Sequence, residues 1–197
     1  DLFLVEEVSK HQVNGFLLPI ITNYPKPFWY ENDEEKTRDH LEPVLQFYWR
    51  YPDKFETYRT PMQSTFKNPD KNIFSNSISG GCLFTVGSFL EPNTNLFADG
   101  EEIHIAARAY THGYDLLLPS KTFMYHLYYG PEGKNKRHLV CQDWPDECAK
   151  LERISKEEIF ATLSGEGFVG EGRLGTKRTL REYGEFCGLD FVSGKVV

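Results

Sequence analysis

Phe97-Ala-Asp-Gly-Glu-Glu-Ile-His-Ile-Ala-Ala-Arg-Ala-Tyr-Thr-His-Gly-Tyr-Asp115 is the stretch on which the fold turns, together with its continuation through Pro119 to His126. Asp99 stands where a helix N-cap is expected, and Glu102, three residues on, completes a capping-box pattern. Ile103, Ala106, Ala107 and Tyr110 recur at helical spacing and give the helix one apolar face. Gly113 follows the last periodic residue, where a left-handed position is expected. Tyr114 to Leu118 then reads as a buried strand, Pro119-Ser120 as a turn, and Thr122 to His126 as a second strand. Two carboxylates, Glu101 and Glu102, thus open a helix, and an imidazole, His126, closes the next strand. Acids in a first helical turn also favour the positive end of the helix dipole, and a strand histidine also serves as packing. These residues alone leave both readings open.

Composition narrows the classes. The chain has 197 residues, 40% hydrophobic and 15% aromatic, enough for one domain with its own core and against disorder. A net charge of −7 and a pI near 5.4 argue against nucleic acid or an anionic membrane as partner. No apolar run is long enough to span a bilayer, and no signal-peptide pattern is present. Cys82, Cys141, Cys148 and Cys187 follow no zinc spacing. Cys82 lies in an apolar run and reads as a buried thiol, and a Cys141–Cys148 disulfide is open but not indicated. Cysteine usage leans towards a reducing compartment.

Upstream, Pro19 to Pro25 reads as a short strand halted by Pro25 and Pro27. Phe28-Trp29-Tyr30 follows, then a charged run, Glu31 to Lys36, which reads as a solvated loop. From Asp39 to Pro69 no period is convincing, although Val44 to Trp49 and Thr57 to Met62 suit strands. Gly80-Gly81 opens the apolar run Cys82 to Val86, read as a central strand with its glycines at the cleft end. A glycine pair there either lets backbone approach a ligand or marks a bulge.

Downstream, Lys134 to His138 is a basic cluster inside a loop expected over 131–150, closed by Trp144-Pro145. Ser155-Lys-Glu-Glu158 reads as another N-cap, opening a helix through Ile159, Phe160 and Leu163. Residues 164–183 read as a glycine-rich flexible loop and a terminal helix. Arg173, Lys177 and Arg178 in it either close over a diphosphate or stand in solvent. The spacing is not that of a Walker P-loop.

The order Gly80-Gly81-x-Leu83-Phe84, Gly100-Glu101-Glu102, Arg108, Gly113, Pro119 and His126 resembles the catalytic half of GT-A nucleotide-sugar glycosyltransferases. The Gly-Glu-Glu helix running into Thr111-His-Gly-Tyr-Asp115 is similar to the polypeptide N-acetylglucosaminyltransferase family. More distantly, the order is similar to mucin-type polypeptide N-acetylgalactosaminyltransferases. Leu174-Gly-Thr-Lys-Arg-Thr-Leu180 and Gly188-Leu-Asp-Phe191 extend the resemblance along nearly the whole chain. It implies an α/β fold, a GT-A-like mixed sheet flanked by helices, in one domain over 1–197 that lacks part of an N-terminal nucleotide-binding half. The family's Asp-x-Asp or Asp-x-His metal motif would then lie upstream, with Asp1 as its only candidate remnant.

The implied chemistry is retaining transfer of a sugar, N-acetylglucosamine by expectation, from a UDP-sugar donor to a hydroxyl of a polypeptide or glycan acceptor. Glu101 and Glu102 are the implied catalytic pair. Gly80, Gly81, Arg108, Arg173, Lys177 and Arg178 are the implied substrate-binding residues. His126 is the implied ligand of Mn²⁺ or another divalent cation. A cytoplasmic location follows from the cysteines, and a Golgi-type lumen if an anchor preceded the chain. The alternative is a non-catalytic carbohydrate-binding or interaction fragment of a larger transferase.

Overall fold

A computed structural model describes residues 2–13, 18–37, 44–49, 59–65, 73–97, 100–127, 145–164, 172–191 and 195–196. Asp1, Asp99, the basic cluster at 134–138, Cys141, Trp144 and the glycine-rich residues 165–171 lie outside the described residues.

The elements run α1 (Leu2–Val13), β1 (Pro19–Thr22), β2 (Lys26–Glu31), β3 (Glu34–Thr37), β4 (Val44–Trp49), β5 (Arg59–Thr65), β6 (Ile73–Phe74) and β7 (Leu83–Thr85). They continue with α2 (Glu101–Thr111), β8 (Asp115–Leu118), β9 (Tyr125–His126), α3 (Pro145–Leu163), α4 (Leu180–Cys187), β10 (Leu189–Asp190) and β11 (Lys195–Val196). The fold is mixed α/β. Among the described residues, no helix is long and apolar enough to cross a membrane.

A four-stranded mixed sheet, ordered β6-β8-β1-β7, organises the core. Strands β1 and β8 are parallel, with Ile20 opposite Leu116 and Ile21 opposite Leu117. Because side chains alternate along a strand, each such pair serves one face. Ile20 and Leu116 join Ile103, Ala106 and Ala107 of α2, Ile159 and Leu163 of α3, and Tyr183 of α4 in the main core. Ile21 and Leu117 meet Val8 of α1 on the opposite face. Both faces are therefore covered, which is why these strands read as unbroken apolar runs. Glu7 fastens α1 to the end of β8, where its two carboxylate oxygens accept from the Ser120 amide and hydroxyl, each at 2.8 Å.

Several sequence expectations change. The run Glu31 to Lys36 is not a loop: β2 and β3 form a hairpin closed by Asn32 and Asp33. Both take left-handed backbone, at φ 53° and 64°. Such a two-residue turn matches the twist of paired strands, and Asn and Asp tolerate that backbone better than most residues. The Gly80-Gly81 strand is not central: β7 lies at one end of the sheet order, paired with β1. The strand expected from Thr122 pairs only over Tyr125–His126, parallel to β2. Ser155 does not cap a helix, since α3 is continuous from Pro145, and the loop expected to reach 150 gives way to that helix. Proline suits a first helical position because the amide it lacks would be unpaired there anyway. The Ser155 hydroxyl instead accepts the Phe97 amide at 3.1 Å. Strands β4 and β5 pair as an antiparallel hairpin whose register shifts between Phe47 and Trp49. That shift faces the Pro61 region, where a missing amide interrupts the ladder.

Candidate active site

At the carboxyl end of β1 the chain makes a tight turn, Ser79-Gly80-Gly81-Cys82, in which the Cys82 amide donates to the Ser79 carbonyl at 3.1 Å. This turn leads into β7, which runs antiparallel to β1 and pairs Leu83 with Thr22. Carboxyl ends of strands in α/β sheets are where ligands collect, because the connecting loops open there. The Gly80 amide donates to Glu102 Oε1 at 2.8 Å. A Cβ placed on Gly80 would lie 3.3 Å from Glu101 Oε1 and 3.8 Å from Glu102 Oε1. The turn and both acids of α2 therefore meet, and a side chain at position 80 would press on the Glu101 carboxylate.

The start of α2 differs from the capping box that the sequence suggests. Its N-cap is Gly100, in left-handed backbone at φ 95°, with no side-chain cap. Glu102 is turned towards Gly80 instead of back to the helix start. Gly100 sits tightly on α3, where an added Cβ would come within 2.8 Å of Ile159 Cδ1. The approach to α2 is also held by α3. Glu158 accepts from the carboxamides of Asn93 and Asn95, each at 2.7 Å. The two acids thus project from a helix whose entry is fixed on both sides.

His126 is exposed, on a strand, β9, that pairs with β2. Gly81 lies against Pro25, with an added Cβ 3.7 Å from its Cγ. Pro27, two residues on, is the strand partner of His126. Two residues along a strand and one step across place the backbones of Pro25 and His126 roughly 8 Å apart. Among the described residues, no group of three or more His, Cys, Asp and Glu side chains gathers as a metal site. The described residues therefore do not make a complete ligand set around His126.

Arg108, Lys177 and Arg178, also expected at the site, go elsewhere. Arg108 is buried, and its Nη1 donates to the Glu91 carbonyl at 3.0 Å rather than orienting a carboxylate. Burial pulls its pKa down from the ordinary arginine range. Arg178 donates to the Tyr114 carbonyl at 2.9 Å and to Asp115 Oδ1 at 2.6 Å, with its guanidinium 4.7 Å from the centre of the Tyr110 ring. Lys177 is exposed, with its stem near Gly113, and Arg173 is exposed. Gly113, Tyr114 and Asp115 follow the carboxyl end of α2, at the amino end of β8. An 11-residue helix is about 16 Å long, so Lys177 and Arg178 stand that far from Glu101.

Thr22 is the residue that the pattern did not mark. It is 1% exposed, and its hydroxyl accepts the Ser79 amide and donates to the Cys82 carbonyl, both at 2.9 Å. Its partners lie 57 and 60 residues away in sequence, beyond any local pattern. The sequence shows it only as part of the short strand read from Pro19 to Pro25.

Comparison with known families gives one finding. A family model described as Glycosyltransferase (GlcNAc) matches residues 6–163. No curated protein and no solved structure matches the chain significantly.

Proposed function

Because this chain belongs to the glycosyltransferase (GlcNAc) family, we propose that it transfers N-acetylglucosamine from a UDP-sugar to a hydroxyl of a polypeptide or glycan acceptor. The anomeric configuration is retained. The observation that carries this reading is the junction of Gly80 with Glu101 and Glu102, at 2.8 Å from the Gly80 amide to Glu102 Oε1. Carboxylates accept from sugar hydroxyls, and a side-chain-free turn lets the ring approach the backbone closely.

In the reaction the bond from the anomeric carbon to the diphosphate oxygen breaks, and its electron pair leaves with UDP. The acceptor oxygen bonds to the same carbon, and its proton passes to the departing diphosphate oxygen. Positive charge gathers on the ring in between, where a fixed carboxylate stabilises it. Glu101, exposed at the mouth, takes the sugar hydroxyls, and Glu102 holds the turn while facing the same ring. Holding the donor in one orientation lowers the barrier by sparing the entropy of alignment. His126 would be this chain's donor to Mn²⁺, and such an ion would supply positive charge to offset that of the departing diphosphate.

The test is UDP release from UDP-GlcNAc by the full chain with Mn²⁺, with and without EDTA, for the parent, Glu101→Gln and Glu102→Gln. Loss of about 100-fold or more in kcat in either variant, with unfolding unchanged, is expected. Binding of UDP-GlcNAc without UDP release favours a non-catalytic carbohydrate-binding role. Absence of both binding and release overturns the proposal.

A further inference from the structure

The Gly80 amide donates to Glu102 beside the Glu101 carboxylate, and nothing in the Gly-Gly pair itself enforces that. Glycine is the least constrained residue, so a turn built on two of them is held only by what surrounds it. What surrounds it is Thr22. Its hydroxyl has one donor and can accept, and both capacities are spent on the two ends of the same turn, at Ser79 and Cys82. Ser79 and Cys82 are 3% and 1% exposed, so water does not replace these bonds. Thr22 itself is the last residue of β1, the strand buried on both faces. A hydrogen-bonded chain therefore runs from the rigid sheet through the Thr22 hydroxyl, the Ser79–Cys82 turn and the Gly80 amide to Glu102.

We propose that Thr22 is a positioning residue of the sugar-transfer site, acting on Glu102 through the Gly80 amide. The inference rests on the proposed transferase activity, and its test separates the two. Thr22→Val keeps the shape and removes the hydroxyl, whereas Thr22→Ser keeps the hydroxyl. In UDP-GlcNAc turnover by the full chain, Thr22→Val is expected to lower kcat about tenfold or more, with KM changed less than threefold. Thr22→Ser restores kcat to within about twofold of the parent. In a Glu102→Gln background the Thr22→Val change has little further effect, because the residue it acts through is already gone.

Hydrogen exchange supplies a readout independent of activity. Thr22→Val deprotects the Gly80 amide while Ile20 and Leu117 amides keep their protection. If Thr22→Val does not fold, Thr22→Ala is measured in its place with the same readouts. A parent chain without turnover overturns the transferase reading, and the exchange result alone then decides whether Thr22 controls the turn. An active parent whose Thr22→Val variant keeps kcat and Gly80 protection overturns the positioning role. So does an effect of Thr22→Val that is undiminished in the Glu102→Gln background.

Discussion

Replacing Arg178 by Met distinguishes a residue that holds the fold from one that holds a diphosphate. The guanidinium makes two hydrogen bonds, 2.6 Å to Asp115 Oδ1 and 2.9 Å to the Tyr114 carbonyl, and lies 4.7 Å from the Tyr110 ring centre. The Arg178 side chain is 30% exposed and that of Asp115 14%, so solvent screens the pair only in part. A hydrogen bond to a charged group contributes about 1.5–3 kcal/mol and a cation–π contact roughly 0.5–1 kcal/mol. Discounted for the exposed share, the loss is about 2.5–5 kcal/mol. At about 2–4 °C per kcal/mol for a chain of this size, Tm falls by roughly 5–20 °C. Thermal unfolding of the parent, Arg178→Met, Asp115→Asn and the double variant measures it, and the two single losses should sum to more than the double loss. Donor KM, read alongside at a temperature where every variant is folded, stays within about twofold. The reasoning fails if Tm moves by less than about 1 °C while donor KM rises tenfold. That result would place the guanidinium on the diphosphate, despite the helix length between it and Glu101.

Two further outcomes concern a buried imidazole and a left-handed glycine. Burial, reinforced by the Arg108 guanidinium, holds His104 down at about 4, against about 6.5 in an unfolded chain. Below pH 6.5 the unfolded chain therefore binds a proton that the folded one refuses. This contribution to stability is whole above pH 6.5 and is lost as pH falls towards 4. The slope approaches about 1.4 kcal/mol per pH unit, on the order of 3 kcal/mol across the window. Urea unfolding between pH 4.5 and 7.5 should show a shallower slope for His104→Gln, and equal slopes would refute the assignment. Gly100→Ala forces a side chain into backbone at φ 95° and against Ile159 Cδ1 at 2.8 Å. It should cost about 1–2 kcal/mol in denaturant unfolding, and an unchanged midpoint would mean that α2 starts elsewhere.

What the sequence discloses and what it hides divide along the range of each interaction. Helix α2 was legible because Ile103, Ala106, Ala107 and Tyr110 repeat within two turns, and Gly113 takes its expected left-handed backbone, at φ 94°. Local spacing misled where a local pattern has a distant partner. Ser155 has the Ser-x-x-Glu form of a helix start, yet its hydroxyl serves Phe97, 58 residues away, from the middle of α3. Glu102 completes a capping box on paper, yet its carboxylate goes to Gly80, 22 residues upstream. Arg178 shows the general case. An arginine in a glycine-rich loop reads alike whether its charge awaits a phosphate or is matched within the fold, because the loop has the same composition either way. The deciding residue is Asp115, 63 positions upstream, which becomes its partner only once β8 has paired with β1 and α4 has packed on α2. The junction of Glu101 and Glu102 with Gly80 follows the same logic. The two acids are neighbours in sequence, and the turn that carries Gly80 is tied to the sheet through Thr22. A site assembled this way tolerates change in the loop around Arg178 better than at Thr22, whose hydroxyl has no local substitute.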